Sequence, residues 1–408
     1  MKKLYLITDH YPYTRGEMPF LLPELAVTHN SFEILLISRD LQETQEFVPP
    51  YGIPAVRFPA KAPSTMQKIR HLLHCLSNPL YKQEIQENTS GAPRKAVEAE
   101  VRNFLYNAEA LRGWMESQGY FADSQHALYY SFWYSVGTMA LALEKEKHPE
   151  MKIVTRAHGY DLYNERQPCG QLFKRYMDTK IDLIGFISRT GRDYYVKHFA
   201  TKPAEQYRVY RLGVSDHGLC PKKGREDPLE LFSCSNVIPL KRIPHIIKAI
   251  ARLPYPVHWM HAGAGEELAA MRQLCETEFS GKANITWEMP GAIPNEEVIR
   301  YYQTHHVDLF LNASETEGLP VSIMEAYSFG VPVLAPAVGG IPEMVHPGTG
   351  YLLSKEAAPE EIAEAITQWY AMNPTQKATL RLNARQIWHN SFYDKQNHER
   401  FARALRAL

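Results

Sequence analysis

Two glutamates, Glu317 and Glu325, stand with seven residues between them in the stretch SETEGLPVSIMEAYSFGVPVLAPAVGGIPEMV, Ser314–Val345. Pro320 lies between them, and its fixed φ suits the first turn of a helix. A helix is therefore expected to start there, leaving the N–H groups of Val321 and Ser322 free to meet a phosphate, which the helix dipole also favours. Glu325 would fall inside that helix and Glu317 before it. Each carboxylate can accept two hydrogen bonds from a vicinal diol, so the spacing suggests one glutamate on a sugar and the other on a ribose, flanking a diphosphate. A pair of surface glutamates beside a helix would give the same spacing. Further upstream, SCSNVIPLKRIPHIIKAI reads as a strand ending at Ser233 and a helix beginning near Pro239 or Leu240, with Lys241 and Arg242 at its start. Positive charge at a helix N-terminus is unfavourable unless an anion is shared there, so a ligand phosphate is indicated; an ordinary solvated lysine is the alternative. In the first half, KIVTRAHGYDLY follows a strand and sets His158 and Asp161 in a glycine-loosened turn, where a lone histidine is more often structural. In TDHYPYTRGEMPFLLPEL, Gly16 and Glu17 precede a helix bearing Phe20, Leu21 and Leu25. Without a side chain, Gly16 would let backbone N–H groups approach a diphosphate, or it would simply turn the chain.

The elements that must hold these residues alternate between short β-branched or apolar runs and helix-length amphipathic stretches, the pattern of a doubly wound parallel sheet. Expected strands in the first half are Leu4–Thr8, Glu33–Ser38, Ala127–Tyr130, Ile153–Thr155, Asp182–Ile187 and Tyr207–Leu212. The pattern restarts at Leu229–Ser233 and continues with Val257–His261, Asn284–Trp287, Asp308–Asn312 and Pro332–Ala335. DHGLCPKKGREDP, rich in Gly, Pro and charge, reads as a linker. The expected organisation is an α/β domain over residues 1–215, a linker at 216–228, a second α/β domain over 229–388 and a C-terminal helix at 389–408 around Trp388, Phe392, Phe401 and Leu405, capping the second domain.

Composition bounds the function. A length of 408 residues suits two domains, and 45% hydrophobic with 22% charged residues is globular. Forty-five basic side chains balance forty-five acidic ones, so no net field favours nucleic acid. The five cysteines are scattered and odd in number, which argues against a disulfide framework or zinc cage and fits a reducing, cytoplasmic setting. MKKLYLITDH lacks an apolar leader, and no run approaches 18 apolar residues, so neither export nor membrane spanning is expected. Met66–Leu80 sets Met66, Ile69, Leu72, Leu73, Leu76 and Leu80 at helical spacing beside Lys68, Arg70, His71, His74 and Lys82. Two readings stand: a core-facing helix with a solvated basic face, and a helix in peripheral contact with the inner face of a membrane.

The stretch from Ser314 to Val345 resembles the signature of glycosyltransferase family 4, the retaining group of the GT-B fold: a Glu, seven residues and a second Glu, then Gly-Val-Pro-Val (Gly330–Val333) and Gly-Gly-Ile-Pro-Glu (Gly339–Glu343). The resemblance implies two Rossmann-like doubly wound domains facing across a cleft, the first for the acceptor and the second for a nucleotide-sugar donor. It implies that Glu317 contacts the donor sugar near the reacting carbon, that Glu325 holds the ribose hydroxyls and that Lys241 meets the diphosphate. Family members usually carry an arginine where this chain has Asn236, leaving Arg242 as the candidate replacement. The turn at His158-Gly159-Tyr160-Asp161 is similar to the family's His-Gly-x-Asp loop, whose histidine faces the donor sugar. HAGAGEEL resembles the Gly-x-Gly turn beside the nucleotide, which brings in Gly265, and Gly16 matches a loop facing donor phosphate and acceptor, with Glu17 next to it. The wording around YSFWYSVGTMALAL and Arg156–Gly159 is most like bacterial surface-polysaccharide members of the colanic-acid type, whereas Ser64–Gly119 matches nothing named. Together these imply a retaining glycosyltransferase that uses a UDP- or GDP-linked sugar and a saccharide or lipid-linked saccharide acceptor. With no Asp-x-Asp cage, and a lysine and helix N-terminus able to take the charge, no metal or other cofactor is expected. A GT-B sugar-nucleotide epimerase and a non-catalytic nucleotide-sugar-binding protein remain as alternatives; a nicotinamide oxidoreductase is disfavoured because TDHYPYTRGE lacks Gly-x-Gly-x-x-Gly.

Overall fold

A computed structural model describes residues 1–60, 64–88, 90–222 and 228–408 and divides them into two compact units, Met1–Arg211 with Lys395–Leu408, and Leu212–Asp394.

The first unit holds seven parallel strands: β1 (Lys2–Thr8), β2 (Phe32–Ser38), β3 (Ala55–Arg57), β4 (Leu128–Ser131), β5 (Lys152–Ala157), β6 (Leu183–Phe186) and β7 (Arg208–Val209). Their order is β3-β2-β1-β4-β5-β6-β7, with Leu4 of β1 opposite Ile34 of β2 and Leu128 of β4. The order reverses direction between β1 and β4, and such a switch point leaves a crevice at the carboxyl ends of the two strands. The second unit repeats the plan with β8 (Leu229–Cys234), β9 (Val257–Ala262), β10 (Ile285–Gly291), β11 (Leu309–Leu311), β12 (Val333–Pro336) and β13 (Gly350–Leu353) in the order β10-β9-β8-β11-β12-β13. Here the switch lies between β8 and β11. Central strands such as β4 and β12 are buried along their whole length, as continuous apolar runs covered on both faces by helices require.

All eleven strands expected from the sequence are present. The two that were not expected, β3 and β13, are both short and lie at sheet edges. The unmatched segment forms three helices between β3 and β4, Thr65–Ser77, Pro79–Glu87 and Arg94–Ser117; the longest buries Val97, Val101, Leu105, Ala108, Leu111 and Met115 on one stripe.

The helix Thr65–Ser77 does not follow the core-facing reading. Its apolar stripe points outward: Met66, Leu72, Leu73 and Leu76 are exposed, whereas Cys75 is fully buried. His71 sets this orientation, because its Nε2 meets the Arg102 carbonyl oxygen at 2.8 Å on the helix Arg94–Ser117. The side chains of Lys68 and Ile69, both named in the sequence reading, lie outside the described residues, as does part of the expected linker.

The C-terminal segment also departs from expectation. Trp388 and Phe392 stay with the second unit, where the Trp388 indole donates to the Val214 carbonyl oxygen at 3.2 Å. The following helix, Asp394–Arg406, returns to the first unit and buries Phe401 and Leu405 among Leu4, Leu6, Tyr130 and Val154. Gly185 on β6 makes room for it, since a Cβ there would lie 3.1 Å from the Phe401 ring. The Arg156 guanidinium packs 4.0 Å above the same ring and pairs with Glu24 at 2.7 Å; both are buried. Burial alone would raise the Glu24 carboxyl, but the Arg156 charge, His398 and the Tyr130 hydroxyl together outweigh it and hold the group down at about 2.

Candidate functional site

In the second unit the loop after β11 and the loop after β8 meet, one on each side of the switch point. Glu317 Oε1 lies 2.5 Å from Lys241 Nζ and 3.4 Å from Asn312 Nδ2. The loops are also joined through the backbone, where the Glu315 N–H donates to the Leu240 carbonyl oxygen at 2.9 Å. The Gly339-Gly340 turn clasps the same loop. A Cβ on Gly339, whose φ is +52°, would fall 1.7 Å from the Glu317 carbonyl oxygen, and the Gly340 N–H donates to the Gly318 carbonyl oxygen at 2.8 Å. The glycines of this motif therefore position Glu317 rather than touching a ligand through side chains.

Lys241 closes a short 3₁₀ turn, Pro239–Lys241, and Arg242 follows in the left-handed region with φ 49° and ψ 39°; the regular helix runs from Ile243 to Ile250. The two cations thus precede the helix instead of lying in its first turn, because Pro244 sits at the first helical positions and the chain must turn before it. Arg242 lies 3.5 Å from the exposed Glu315, while Asn236, at the position where an arginine was looked for, is exposed. The helix after β11 opens at Val321, with Pro320 in extended conformation just outside it. The N–H groups of Val321 and Ser322 therefore belong to a first turn, where no intrahelical acceptor exists.

Glu325 lies one turn further in and is buried. Its Oε1 accepts from Asn295 Nδ2 at 2.8 Å, and burial pushes its carboxyl up to about 7 against the effect of that hydrogen bond. Asn295, at the start of the helix Asn295–Thr304, was missed by the sequence reading: thirty residues separate it from its partner, and no local motif marks it. Gly265 has a backbone role, since a Cβ there would lie 2.2 Å from the Val237 carbonyl oxygen. Gly263 and Gly265 let the turn after β9 close on residues 235–237, with the Val237 N–H donating to the Ala264 carbonyl oxygen at 2.9 Å.

The first unit gathers a separate cluster at the carboxyl ends of β1, β4 and β5. Glu17 is fully buried and accepts from the N–H groups of Asp9 (2.6 Å) and Tyr11 (2.9 Å) and from the Trp133 indole (2.7 Å). It orders the loop after β1. Gly16 sits where a Cβ would lie 2.3 Å from the His10 Cβ, so close packing alone requires a glycine. The Trp133 ring continues to His158, at 4.4 Å between centroids. Asp161 organises the histidine loop: it accepts from the His158 N–H at 2.6 Å and the Tyr134 N–H at 2.8 Å, and lies 3.3 Å from His158 Nδ1. Burial would raise the Asp161 carboxyl, but the imidazole beside it and these donors hold it below its usual value. His158 is itself buried, and its Nε2 has no partner among the described residues. A buried ring nitrogen without a partner costs free energy unless a ligand supplies one.

The expected residues thus form two sets, Lys241, Arg242, Glu317, Val321, Ser322 and Glu325 with Gly265 behind them in the second unit, and Gly16, Glu17, His158 and Asp161 in the first. No group of three or more His, Cys, Asp or Glu able to hold a metal occurs among the described residues.

Residues 221–387 match the family model of Glycosyl transferases group 1. A putative colanic acid biosynthesis glycosyltransferase of Escherichia coli is 27% identical over 50% of this chain and 52% of its own length. An amylovoran biosynthesis glycosyltransferase of Erwinia amylovora is 29% identical over 56% of this chain and 57% of its own. The chain therefore spans about half the length of the curated relatives it matches. Among solved structures, the Anabaena HepE protein in complex with UDP and glucose aligns over 100% of both chains with a TM-score of 0.68 at 16% identity. Sucrose-phosphate synthase from Thermosynechococcus elongatus aligns over 100% of this chain and 99% of its own, with a TM-score of 0.70 at 16% identity. The fold is the two-unit α/β architecture of these proteins.

Proposed function

We propose, from the match of residues 221–387 to Glycosyl transferases group 1, that the chain is a retaining glycosyltransferase that moves a sugar from a nucleoside-diphosphate carrier to a saccharide acceptor in surface-polysaccharide synthesis. The observation that carries this reading is the Lys241–Glu317 pair at 2.5 Å, held beside the open first turn of the helix Val321–Ser328. A cation and free N–H groups suit a diphosphate, and a carboxylate at the same place suits the hydroxyls and developing positive charge of the departing sugar.

In this reading Lys241 releases part of its hold on Glu317 to meet the diphosphate, with Val321 and Ser322 donating from the helix start and Arg242 near by. Glu325 takes the ribose. His158 is the catalytic residue of the first unit, with Asp161 fixing the ring and Glu17 fixing the loop next to it. The leaving diphosphate oxygen accepts the acceptor's proton on the face where the new bond forms, so configuration is retained. The carrier is UDP- or GDP-linked, and no metal or other cofactor takes part, since a cation and a helix dipole already face the leaving group. The exposed apolar stripe of the helix Thr65–Ser77, with Arg70 and Lys82 exposed, faces an anionic membrane surface on which a lipid-linked acceptor would be presented.

The reading is tested by thermal shift with UDP and GDP, followed by transfer from UDP- and GDP-sugars with and without excess EDTA. Stabilisation by one diphosphate and transfer within a few-fold in EDTA are expected. Absence of stabilisation by either nucleotide, or loss of transfer restored only by Mg²⁺ or Mn²⁺, contradicts the respective part of the proposal.

A further inference from the structure

Glu325 is a buried carboxylate that no cation supports among the described residues. The titratable groups that feel its charge are Cys234, at the end of β8, and Tyr302, on the helix Asn295–Thr304. Both are neutral at ordinary pH. Burial pushes the Cys234 thiol up to about 12 and the Tyr302 hydroxyl well above its usual value, and the Glu325 charge adds to each. The support that Glu325 does receive is a neutral donor, Asn295 Nδ2, and that donor engages only Oε1. Oε2 has no hydrogen-bond partner among the described residues, yet it is not closed off from the surface.

Asn295 is not placed for the sake of its own helix. An asparagine that stabilises a helix start sits at the N-cap and accepts from an N–H of the first turn. Here the N-cap is Pro294, and the Asn295 amide turns toward Glu325 instead. Charge fixes which way it turns, because an amide oxygen facing a carboxylate would be repelled whereas the NH₂ group is attracted. One N–H of Nδ2 and the whole of Oδ1 are then left without a partner among the described residues, on a side chain that is exposed.

The two side chains therefore offer three unsatisfied groups next to one another: the carboxylate oxygen Oε2, the amide oxygen Oδ1 and an amide N–H. Two acceptors and a donor match two neighbouring hydroxyls, each of which donates one hydrogen and accepts another. A phosphate has no hydrogen to give to either oxygen and would meet the Glu325 charge. A lone hydroxyl would leave one acceptor unmatched.

We propose that Asn295 is a second donor-binding residue, receiving one ribose hydroxyl on Oδ1 while Glu325 Oε2 receives its neighbour, so that the pair distinguishes ribonucleotides from deoxyribonucleotides. The assignment rests on the glycosyltransferase reading and deepens it, from one glutamate on the ribose to two residues that read the diol together. The test is isothermal titration calorimetry of the full chain with UDP, GDP and the 2′-deoxy and 3′-deoxy forms of each, repeated on Asn295→Ala. Asn295 is exposed, so its truncation leaves the fold intact. The nucleotide that binds is expected to lose about tenfold in affinity when either hydroxyl is removed. Asn295→Ala is expected to weaken the ribonucleotide about three- to tenfold and to leave unchanged the affinity for one deoxy form, the one lacking the hydroxyl that Asn295 receives. A residue that merely shapes the helix start would weaken all three ligands alike. Equal weakening of all three, no weakening of a nucleotide that the protein binds, or a wild type that does not distinguish ribose from deoxyribose overturns the Asn295 assignment alone. Absence of binding by both UDP and GDP overturns the glycosyltransferase reading and the assignment with it.

Discussion

Glu325 is a carboxylate whose burial works against its charge, and this gives its proposed role a pH signature. Its folded value, about 7, lies above the ordinary 4.5, so its contribution to stability is fully present below 4.5 and is lost as pH rises through 7. The shift corresponds to a few kcal/mol at most. Glu325→Gln is therefore expected to raise stability by on the order of 1–3 kcal/mol at pH 8 and to change it little at pH 4.5, as read by denaturant unfolding at both pH values. An equal effect at both pH values would show that the carboxyl is not held up by burial. Kinetics separates the same residue from Glu317. A ribose contact persists unchanged into the transition state, so Glu325→Gln should raise the donor KM about tenfold with a smaller effect on kcat. In the proposed role Glu317 faces developing charge, so Glu317→Gln should lower kcat by roughly ten- to a thousandfold, with little change in nucleoside-diphosphate affinity. Steady-state kinetics with parallel diphosphate titrations decides, and a reversed pattern removes the role assignment. The two glutamates were legible in the sequence because their loop and helix are one continuous motif, and Lys241 because it stands as a cation just before a helix. Asn295 and the Trp133 bridge between Glu17 and His158 were not, since each joins residues brought together only by the sheet.

At the scale of elements, the sequence located the central strands, missed one edge strand of each sheet and left one helix face open. β3 and β13 have three and four residues, too few for an alternating or apolar run to stand out, and each pairs on only one side. The helix Thr65–Ser77 has a clear apolar stripe, but periodicity alone does not say which side faces the protein. Here the decision rests on His71 and Cys75, a pair with weak hydrophobic signal, because the Arg102 carbonyl oxygen and the buried surface of the helix Arg94–Ser117 receive them. The outward stripe leads to a direct expectation. The full chain should float with vesicles containing anionic phospholipid at low salt, and Arg70→Glu combined with Leu73→Glu should abolish flotation without lowering the melting temperature, because Leu73 is 62% exposed. Flotation that survives both changes would assign membrane contact to another surface.

The whole molecule is organised by a chain that leaves the first unit at Arg211 and returns to it at Lys395. Composition and strand spacing indicated two domains, but the destination of the last helix was not readable: Trp388, Phe392, Phe401 and Leu405 look like one apolar pattern, yet the break at Phe392–Tyr393 sends the last two to another core. Phe401 is fully buried against β6 and Arg156, so Phe401→Ala should cost the first unit about 3–5 kcal/mol. Calorimetry should show one transition shifted down, while nucleoside-diphosphate affinity, which the proposed function assigns to the second unit, stays within experimental scatter. A shift in both would mean that the two unfold as one. The returning helix also imposes a timetable on synthesis. When a ribosome has finished Arg211, the first unit still lacks Phe401 and Leu405, and nearly two hundred residues remain to be made. At about 5–20 residues per second the nascent first unit waits roughly 10–40 s with an uncovered apolar floor around Leu4, Leu6 and Val154, long enough for a chaperone to occupy the place of the final helix.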